Sequence, residues 1–501
     1  MLIGWSIAGV GMLSVAFVFQ ILASRKPHLD SGVYSYVRAG LGDFVGFASA
    51  WGYWMGSVIA QVGYATLFFS TLGHYLPLFS AENRWASAMA VSLLTWLIFF
   101  GLTRGIRQAA FLNLVTTVAK ILPILAFVLL TAFLGFSWDR FTMDFWSHSS
   151  NVSVIEQVKG FMVFTVWAFI GVEGASVYSK QARTRRDVGR ATVIGFTTVL
   201  VLLVTVATLS YGALSQEELA GLPDNSMASV LEAVVGPWGG AFISIGLCLS
   251  VLGAYVSWQM LCAEPITLMA LDGLLPQQLG RTNKAGAPFY AQLVSTIVIQ
   301  ILVIVFFLNE TTYNSMVQLA TMMYMLPYFF TSFYLLLLTI RGRGIAHPGA
   351  GTHFDDSGPE VSSQVNRRHG AVAAIATIYS LWLFYAADVT YLLFGALLVI
   401  PGMVPYVWTR LRTGNRIFNS FEWCVVALVA LGAVTGVIIG FAIIFSIVLV
   451  GYILAKTGII ASGSERLVLN RIAFYSATPA LVFMVVSKAD VETLLSPVVA
   501  V

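Results

Sequence analysis

Residues 164–176, Phe-Thr-Val-Trp-Ala-Phe-Ile-Gly-Val-Glu-Gly-Ala-Ser, decide how this chain folds and where it acts. The stretch is apolar enough for a membrane-spanning helix, yet it carries Glu173 between Gly171 and Gly174. Ionisable residues inside a span are rare and cost about 2.5–3.5 kcal/mol on insertion scales. Two glycines three residues apart favour a break, which turns backbone polar groups toward a cavity. The pattern predicts an interrupted helix with a functional carboxylate.

Glu173 has a second, purely structural interpretation. Its carboxylate could pair with a neighbouring backbone group or a lysine, while Gly171 and Gly174 serve close packing between helices. As a functional group, a carboxylate buried beside a cavity could exchange protons. Its place in mid-span, bracketed by glycines, favours the functional interpretation.

Composition extends the membrane character to the whole chain. The 501 residues are 58% hydrophobic and 10% charged, whereas about a quarter of the residues of a soluble domain carry charge. The net charge of +4 provides no basic surface for nucleic acid. The cysteines Cys248, Cys262 and Cys424 lack metal-ligand spacing, and no histidine cluster or nucleophile motif indicates an enzyme. The expected class is an all-α polytopic membrane protein with no cofactor.

The spans follow from the rule that a helix needs about 20 apolar residues to cross a membrane. Lys and Arg mark the cytoplasmic side, and they concentrate in alternate loops, beginning with Arg25, Lys26 and Arg38. The predicted spans are 1–24, 41–76, 86–103, 113–136, 158–179, 191–214, 236–271, 288–308, 313–340, 371–387, 391–409, 421–440 and 441–455, with a weaker one at 472–487.

The span at 41–76 carries a small, polar face. Tyr53, Gly56, Ser57 and Gln61 fall on one side of a helix. That face could line a substrate cavity, although small polar faces more often pack helices together.

Two further spans carry candidate residues. Trp258 and Glu264 together suit an organic cation, through cation–π contact and charge pairing, although a lone tryptophan is more often part of a core. Lys120 lies in mid-span, too far from the surface to snorkel, and could neutralise a carboxylate or stand in for a coupling cation.

Residues 167–190 resemble the sixth helix of the amino acid, polyamine and organocation (APC) transporter superfamily, in particular its basic amino acid and arginine–ornithine antiporter branch. The resemblance covers roughly residues 1–440. Supporting motifs occur in the same order at 25–36, 49–54, 258–264 and 272–276.

The resemblance implies a five-plus-five inverted-repeat fold with a substrate site at mid-membrane. It makes Glu173 the gating and proton-coupling residue, and it matches Lys120 to a fifth-helix lysine near a vacated sodium site. The substrate-binding residues that it implies are Trp167, Ile170, Gly171, Tyr53, Gly56, Ser57, Gln61, Trp258 and Glu264.

The implied function is secondary active transport of L-lysine or a related basic amino acid, such as arginine or ornithine, across the inner (cytoplasmic) membrane by alternating access. The expected partners are a small cationic amino acid and membrane lipid, without nucleic acid, and a homodimer is compatible with this. A permease for neutral amino acids or polyamines stays open as an alternative.

Two features depart from the family pattern. Only four predicted spans precede the interrupted helix, so the family's Gly-rich first helix is expected to be missing, and the chain is expected to start inside a longer reading frame or to be a truncated, non-transporting remnant. Residues 441–501 resemble the first helices of an auxin efflux carrier. We therefore predict a transporter domain at 1–440 and a fusion-like tail at 441–501 that transport does not require.

Overall fold

The structure, a computed structural model, describes most of the chain up to residue 435. Within that range it leaves out 28, 30–31, 81–82, 105–108, 144–151, 174–184, 224, 309–311, 343–360, 419–421, 424–425, 428–429 and 432–433, together with the side chains of 109–118, 185–189 and 191. Cys424, the predicted spans at 441–455 and 472–487, and the tail at 441–501 lie outside the described residues, so the predicted domain boundary stays a prediction.

The described residues form helices joined by short turns, with no β-strand among them. The helices are α1 (Leu2–Arg25), α2 (Gly32–Leu41), α3 (Asp43–Gly73), α4 (Arg84–Thr103), α5 (Ala109–Leu130), α6 (Trp138–Thr142), α7 (Val154–Phe169), α8 (Arg185–Ala213), α9 (Gln216–Ala220), α10 (Ser226–Val235), α11 (Pro237–Leu271), α12 (Phe289–Leu308), α13 (Tyr313–Ile340), α14 (Ser363–Ala386) and α15 (Val389–Arg412).

Nine helices of the described chain are long and apolar enough to cross a membrane, namely α1, α3, α4, α8 and α11 to α15. They confirm an all-helical, multi-pass membrane protein and agree with the corresponding predicted spans. Some predicted bounds were wrong. The segment predicted to start at 371 already begins at Ser363, and the first loop contains a separate helix, α2, which the hydropathy criterion missed because its ten residues include Arg38.

Side-chain caps explain where several helices begin. Ser153 Oγ accepts the Glu156 N–H at the start of α7, and Ser362 Oγ accepts the Val365 N–H at the start of α14. Asp388 caps α15 by accepting the Thr390 N–H at 2.8 Å. Such caps satisfy N–H groups that have no partner within the helix.

The long helix α3 packs directly against α13 through glycine. A Cβ atom on Gly56 would lie 2.9 Å from the Tyr324 ring and 3.1 Å from the Ala320 carbonyl oxygen. Real Cβ atoms are excluded from such short contacts, so only glycine lets the two helices approach this closely. The small face of α3 therefore packs helices here, as the structural interpretation of that face expected.

An edge cluster of charges joins four elements at one end of the molecule. Arg38 of α2 pairs with Asp43 of α3 at 2.8 Å and with Asp272, just after α11, at 2.6 Å. Arg410 of α15 also pairs with Asp43, at 2.9 Å, and the Tyr34 hydroxyl donates to Asp272. Burial, ahead of the nearby charges, raises the pKa of Tyr34, which therefore stays protonated.

Candidate functional site

The break predicted in the fifth span is confirmed. The helix α7 ends at Phe169, where Ile170 turns to an extended conformation, and Gly171 follows with φ +107°. A side chain at residue 171 would be strained there, because positive φ is a region that glycine adopts freely. The Val172 N–H then bonds the Phe169 carbonyl at 3.2 Å, which turns the chain away from the helix axis.

Glu173 lies just beyond this break and is 3% exposed. Its Oε1 accepts the Tyr53 hydroxyl at 3.0 Å, and its Oε2 accepts the Tyr328 hydroxyl at 2.8 Å. The Gly171 N–H, freed by the break, donates to Oε2 at 3.1 Å. This central cluster, Glu173 with Tyr53 and Tyr328, ties the broken segment to α3 and to α13. The bond from the Gly171 N–H fits the structural interpretation of Glu173, in which a neighbouring backbone group pairs with the carboxylate. The two tyrosine bonds are not part of that interpretation.

An aromatic wall adjoins the central cluster. The Trp258 ring lies 6.4 Å from the Tyr53 ring and 6.1 Å from the Tyr324 ring, and the last two rings meet edge to face at 5.1 Å. Ser57 fixes the wall by sharing a 2.8 Å hydrogen bond with the Tyr324 hydroxyl. Gly171 reaches it too, because a Cβ atom on that residue would lie 3.9 Å from Trp258.

Gln61 is buried at the next turn of α3, and its amide nitrogen points toward α11. It donates to the Tyr255 main-chain oxygen at 3.0 Å and to Gln259 Oε1 at 2.8 Å. The candidate residues of α3 therefore contact different partners. Tyr53 meets Glu173 and Trp258, Ser57 meets Tyr324, and Gln61 meets α11.

Trp167 and Ile170 stand on either side of the helix end. The half-buried Trp167 ring lies 5.8 Å from the Tyr64 ring, and Ile170 packs against the main apolar core. Neither is placed against Trp258 by a described contact. Their roles in substrate binding stay predictions.

Two predicted residues lie apart from the central cluster. Lys120 is exposed on α5 and makes no ion pair with another described residue. Glu264 follows Trp258 by six residues on α11, about 9 Å along the axis and on a different face. The gating role of Lys120 and the binding role of Glu264 stay predictions.

Sequence reasoning missed Tyr324 and Tyr328, which complete the site from α13. Their signal is a pair of tyrosines four residues apart in a span that contains Pro327. Residues four apart share a helix face, so the pair could have been predicted to face the same cavity. Gln259, beside Trp258, was also missed.

The amino acid permease family model matches residues 1–401. This chain belongs to the amino acid permease family. It is 67% identical over 439 residues to an L-lysine transport protein of Corynebacterium glutamicum, which covers 87% of this chain and 88% of that one.

Two more distant relatives of this permease carry another name. It is 46% identical over 440 residues to an arginine/ornithine antiporter of Pseudomonas aeruginosa, covering 86% of this chain and 88% of that one. It is 33% identical over 441 residues to an arginine/ornithine antiporter of Latilactobacillus sakei, covering 87% and 89% respectively. The relatives are thus named as transport proteins.

The candidate site combines aromatic rings with a carboxylate. No group of three or more His, Cys, Asp or Glu side chains in the described part of the chain could hold a metal ion. Aromatic ring faces such as those of the aromatic wall can bind an organic cation. The Tyr53 and Tyr328 hydroxyls that donate to Glu173 are neutral groups.

Proposed function

We propose that this permease is a secondary active transporter that moves L-lysine or a related basic amino acid across the inner membrane by alternating access. The observation that carries the proposal is the broken helix, which places the buried carboxylate of Glu173 in one cluster with the aromatic wall around Trp258. The names of the relatives, an L-lysine transport protein and two arginine/ornithine antiporters, support the substrate class.

The aromatic wall and the helix break are the elements proposed to bind the substrate. The side-chain ammonium of lysine can lie over the face of Trp258, worth about 0.5–2 kcal/mol. The free backbone groups at Gly171 suit the α-carboxylate and α-ammonium groups, as half-helix ends do in transporters. Trp167, Ile170 and Glu264 complete the proposed site.

The central cluster is proposed to act as the gate. The Tyr53 and Tyr328 hydroxyls hold the broken segment against α3 and α13 through Glu173. For the permease to change the side to which its site opens, these elements have to move relative to one another, and the tyrosine bonds have to break. Protonating Glu173 would weaken both bonds, because hydrogen bonds to a charged acceptor are the stronger ones. Lys120 is proposed to act in the same coupling.

The charge of the substrate favours the exchange of one basic amino acid for another. Moving one net positive charge across the membrane gains or costs about 2.3 kcal/mol per 100 mV. Exchanging one basic amino acid for another moves no net charge. The proposal needs no cofactor and no nucleic acid, it is not enzymatic, and a homodimer is compatible with it.

The test is exchange of labelled L-lysine into proteoliposomes preloaded with unlabelled lysine. Both the 501-residue chain and a form extended to any upstream in-frame start are assayed, with putrescine and norleucine as competitors. We expect exchange that unlabelled lysine, arginine and ornithine inhibit and that norleucine leaves nearly unchanged. Strong inhibition by norleucine or putrescine would assign a neutral amino acid or polyamine permease instead. No exchange by either form would contradict the proposal.

A further inference from the structure

The side-chain amide of Gln61 has a fixed orientation. Its nitrogen lies 3.0 Å from the main-chain oxygen of Tyr255. A main-chain oxygen only accepts hydrogen bonds, so the NH₂ end of the amide has to face it. The opposite end, Oε1, is buried and has no hydrogen-bond partner among the described residues.

A chain of hydrogen bonds locks that orientation. Gln61 donates to Gln259 Oε1 at 2.8 Å, and Gln259 donates from Nε2 to Thr296 Oγ1 at 3.0 Å. Thr296 in turn donates to the main-chain oxygen of Gln292 at 2.8 Å. The chain is anchored by main-chain oxygens at both ends, so every donor in it points one way.

Burial keeps this chain of bonds intact. Gln61, Gln259 and Thr296 all have 0% exposure, so water does not compete for their polar atoms. A buried acceptor without a partner is unfavourable, and native structures rarely keep one. The unpartnered Oε1 of Gln61 is therefore an acceptor prepared for a donor that arrives from elsewhere.

The position of Gln61 indicates which donor that is. It follows Tyr53 and Ser57 on one face of α3, two turns from Tyr53, and it bonds Gln259, the residue next to Trp258. Its amide meets α11 at the Tyr255 main-chain oxygen, about one turn before Trp258, and lies about 12 Å along α3 from Tyr53. A lysine whose α-groups bind at the break would extend its ammonium group in that direction.

We propose that Gln259 and Thr296 are positioning residues that select substrate charge through Gln61. They hold its amide so that it offers an acceptor and no donor, which favours a side chain ending in an ammonium group over an apolar one of equal length. A site built to bond a substrate N–H rejects the analogue that lacks it, because the acceptor is left unpaired. This inference rests on the proposed function and deepens it.

The test measures the selectivity of the permease for lysine over norleucine, not the rate of exchange. Exchange of labelled lysine is measured in whichever form of the permease is active, and it is inhibited with unlabelled lysine or with norleucine, which lacks the ε-ammonium group. The selectivity is the ratio of the two half-inhibitory concentrations. Gln259→Leu should lower it roughly tenfold, the value of one hydrogen bond to a charged group. Thr296→Val should lower it about threefold, and Thr296→Ser, which keeps the hydroxyl, should restore it.

Gln300→Leu is the matched control. Gln300 lies on α12 like Thr296, and its amide bonds Ser92 at 2.8 Å and Trp96 at 3.2 Å, apart from Gln61. It should leave the selectivity unchanged. If Gln259→Leu fails to fold, the selectivities of Thr296→Val and Thr296→Ser still test the proposal.

Two outcomes distinguish this inference from the proposed function. Lower exchange in Gln259→Leu and Thr296→Val with an unchanged selectivity would show a structural role alone and overturn the inference, while the proposed function would stand. A permease that exchanges no lysine in either form would overturn the proposed function, and the inference would fall with it.

Discussion

The carboxylate at the centre of the permease accepts hydrogen bonds from two tyrosine hydroxyls, whereas the carboxylates of the edge cluster are paired with arginines. Glu173 is 3% exposed and accepts from tyrosine hydroxyls and a backbone N–H. Asp43 and Asp272, with side chains 29% and 40% exposed, pair with Arg38. The difference indicates different tasks. Hydroxyl bonds to a carboxylate weaken when the carboxylate takes up a proton, and opposite charges hold helices together.

Energetics support that division. Ion pairs near the surface are worth about 0–1 kcal/mol, because water and salt screen them. Hydrogen bonds to a buried charge are worth about 1.5–3 kcal/mol each. Changes in the central cluster should therefore act strongly on transport, and changes in the edge cluster should act weakly on stability.

The largest effect is expected for Glu173→Leu. Removing the carboxylate abolishes the link between α7, α3 and α13, so lysine exchange should fall at least about 100-fold, the factor that corresponds to two such hydrogen bonds. The matched control is Glu156→Leu, which removes an exposed carboxylate from the first turn of the same helix and should leave exchange unchanged. Equal losses in both variants would contradict a special role for the centre.

The variants Tyr53→Phe and Tyr328→Phe each test one hydrogen bond of the central cluster. Each removes a single hydroxyl from Glu173 and should reduce exchange roughly tenfold, with protein yield unchanged. Tyr406→Phe is the control, because that buried hydroxyl bonds only the Ile417 main-chain oxygen among the described groups. Exchange close to the unaltered rate in both site variants would show that the tyrosines do not control the gate.

Trp258→Leu tests the aromatic wall. Loss of the ring face should raise the KM for lysine about fivefold, and Trp258→Tyr should recover most of the affinity. The measurement is the concentration dependence of initial exchange rates. A fall in kcat with KM unchanged would assign Trp258 to packing instead.

The smallest effect is expected in the edge cluster. Asp272→Asn removes the charge that pairs with Arg38, so it should lower the free energy of unfolding by less than about 1 kcal/mol and change exchange less than twofold. Thermal unfolding at low and high salt checks this, and the difference from the unaltered permease should shrink at high salt. A tenfold loss of exchange would mean that the edge, too, takes part in the transport cycle.

The sequence predicted the fold well where hydropathy and glycine spacing dominate. Long apolar runs predicted the spans, and Gly171 with Gly174 predicted the break, because both signals are local. The helix α2 was missed, since it is too short and too polar to register as a span. The periodicity of α3 placed Tyr53 and Ser57 on one face correctly.

The partners within the site could not be predicted in the same way. Tyr328 and Tyr53 lie on different helices, far apart in the chain, and one sequence holds no record of which spans meet. The amide orientation of Gln61 depends on a main-chain oxygen of another helix. Such contacts are set by tertiary packing, which local patterns do not report.

The most direct test of the gating account compares binding and exchange in Glu173→Gln. This variant keeps the size and one acceptor oxygen of the side chain but removes its charge and its ability to titrate. We predict that lysine binding, measured by equilibrium titration, changes less than about threefold, while exchange falls at least about 30-fold and depends less on pH than exchange by the unaltered permease. Exchange at the unaltered rate, with the same pH profile, would show that Glu173 is not the gate.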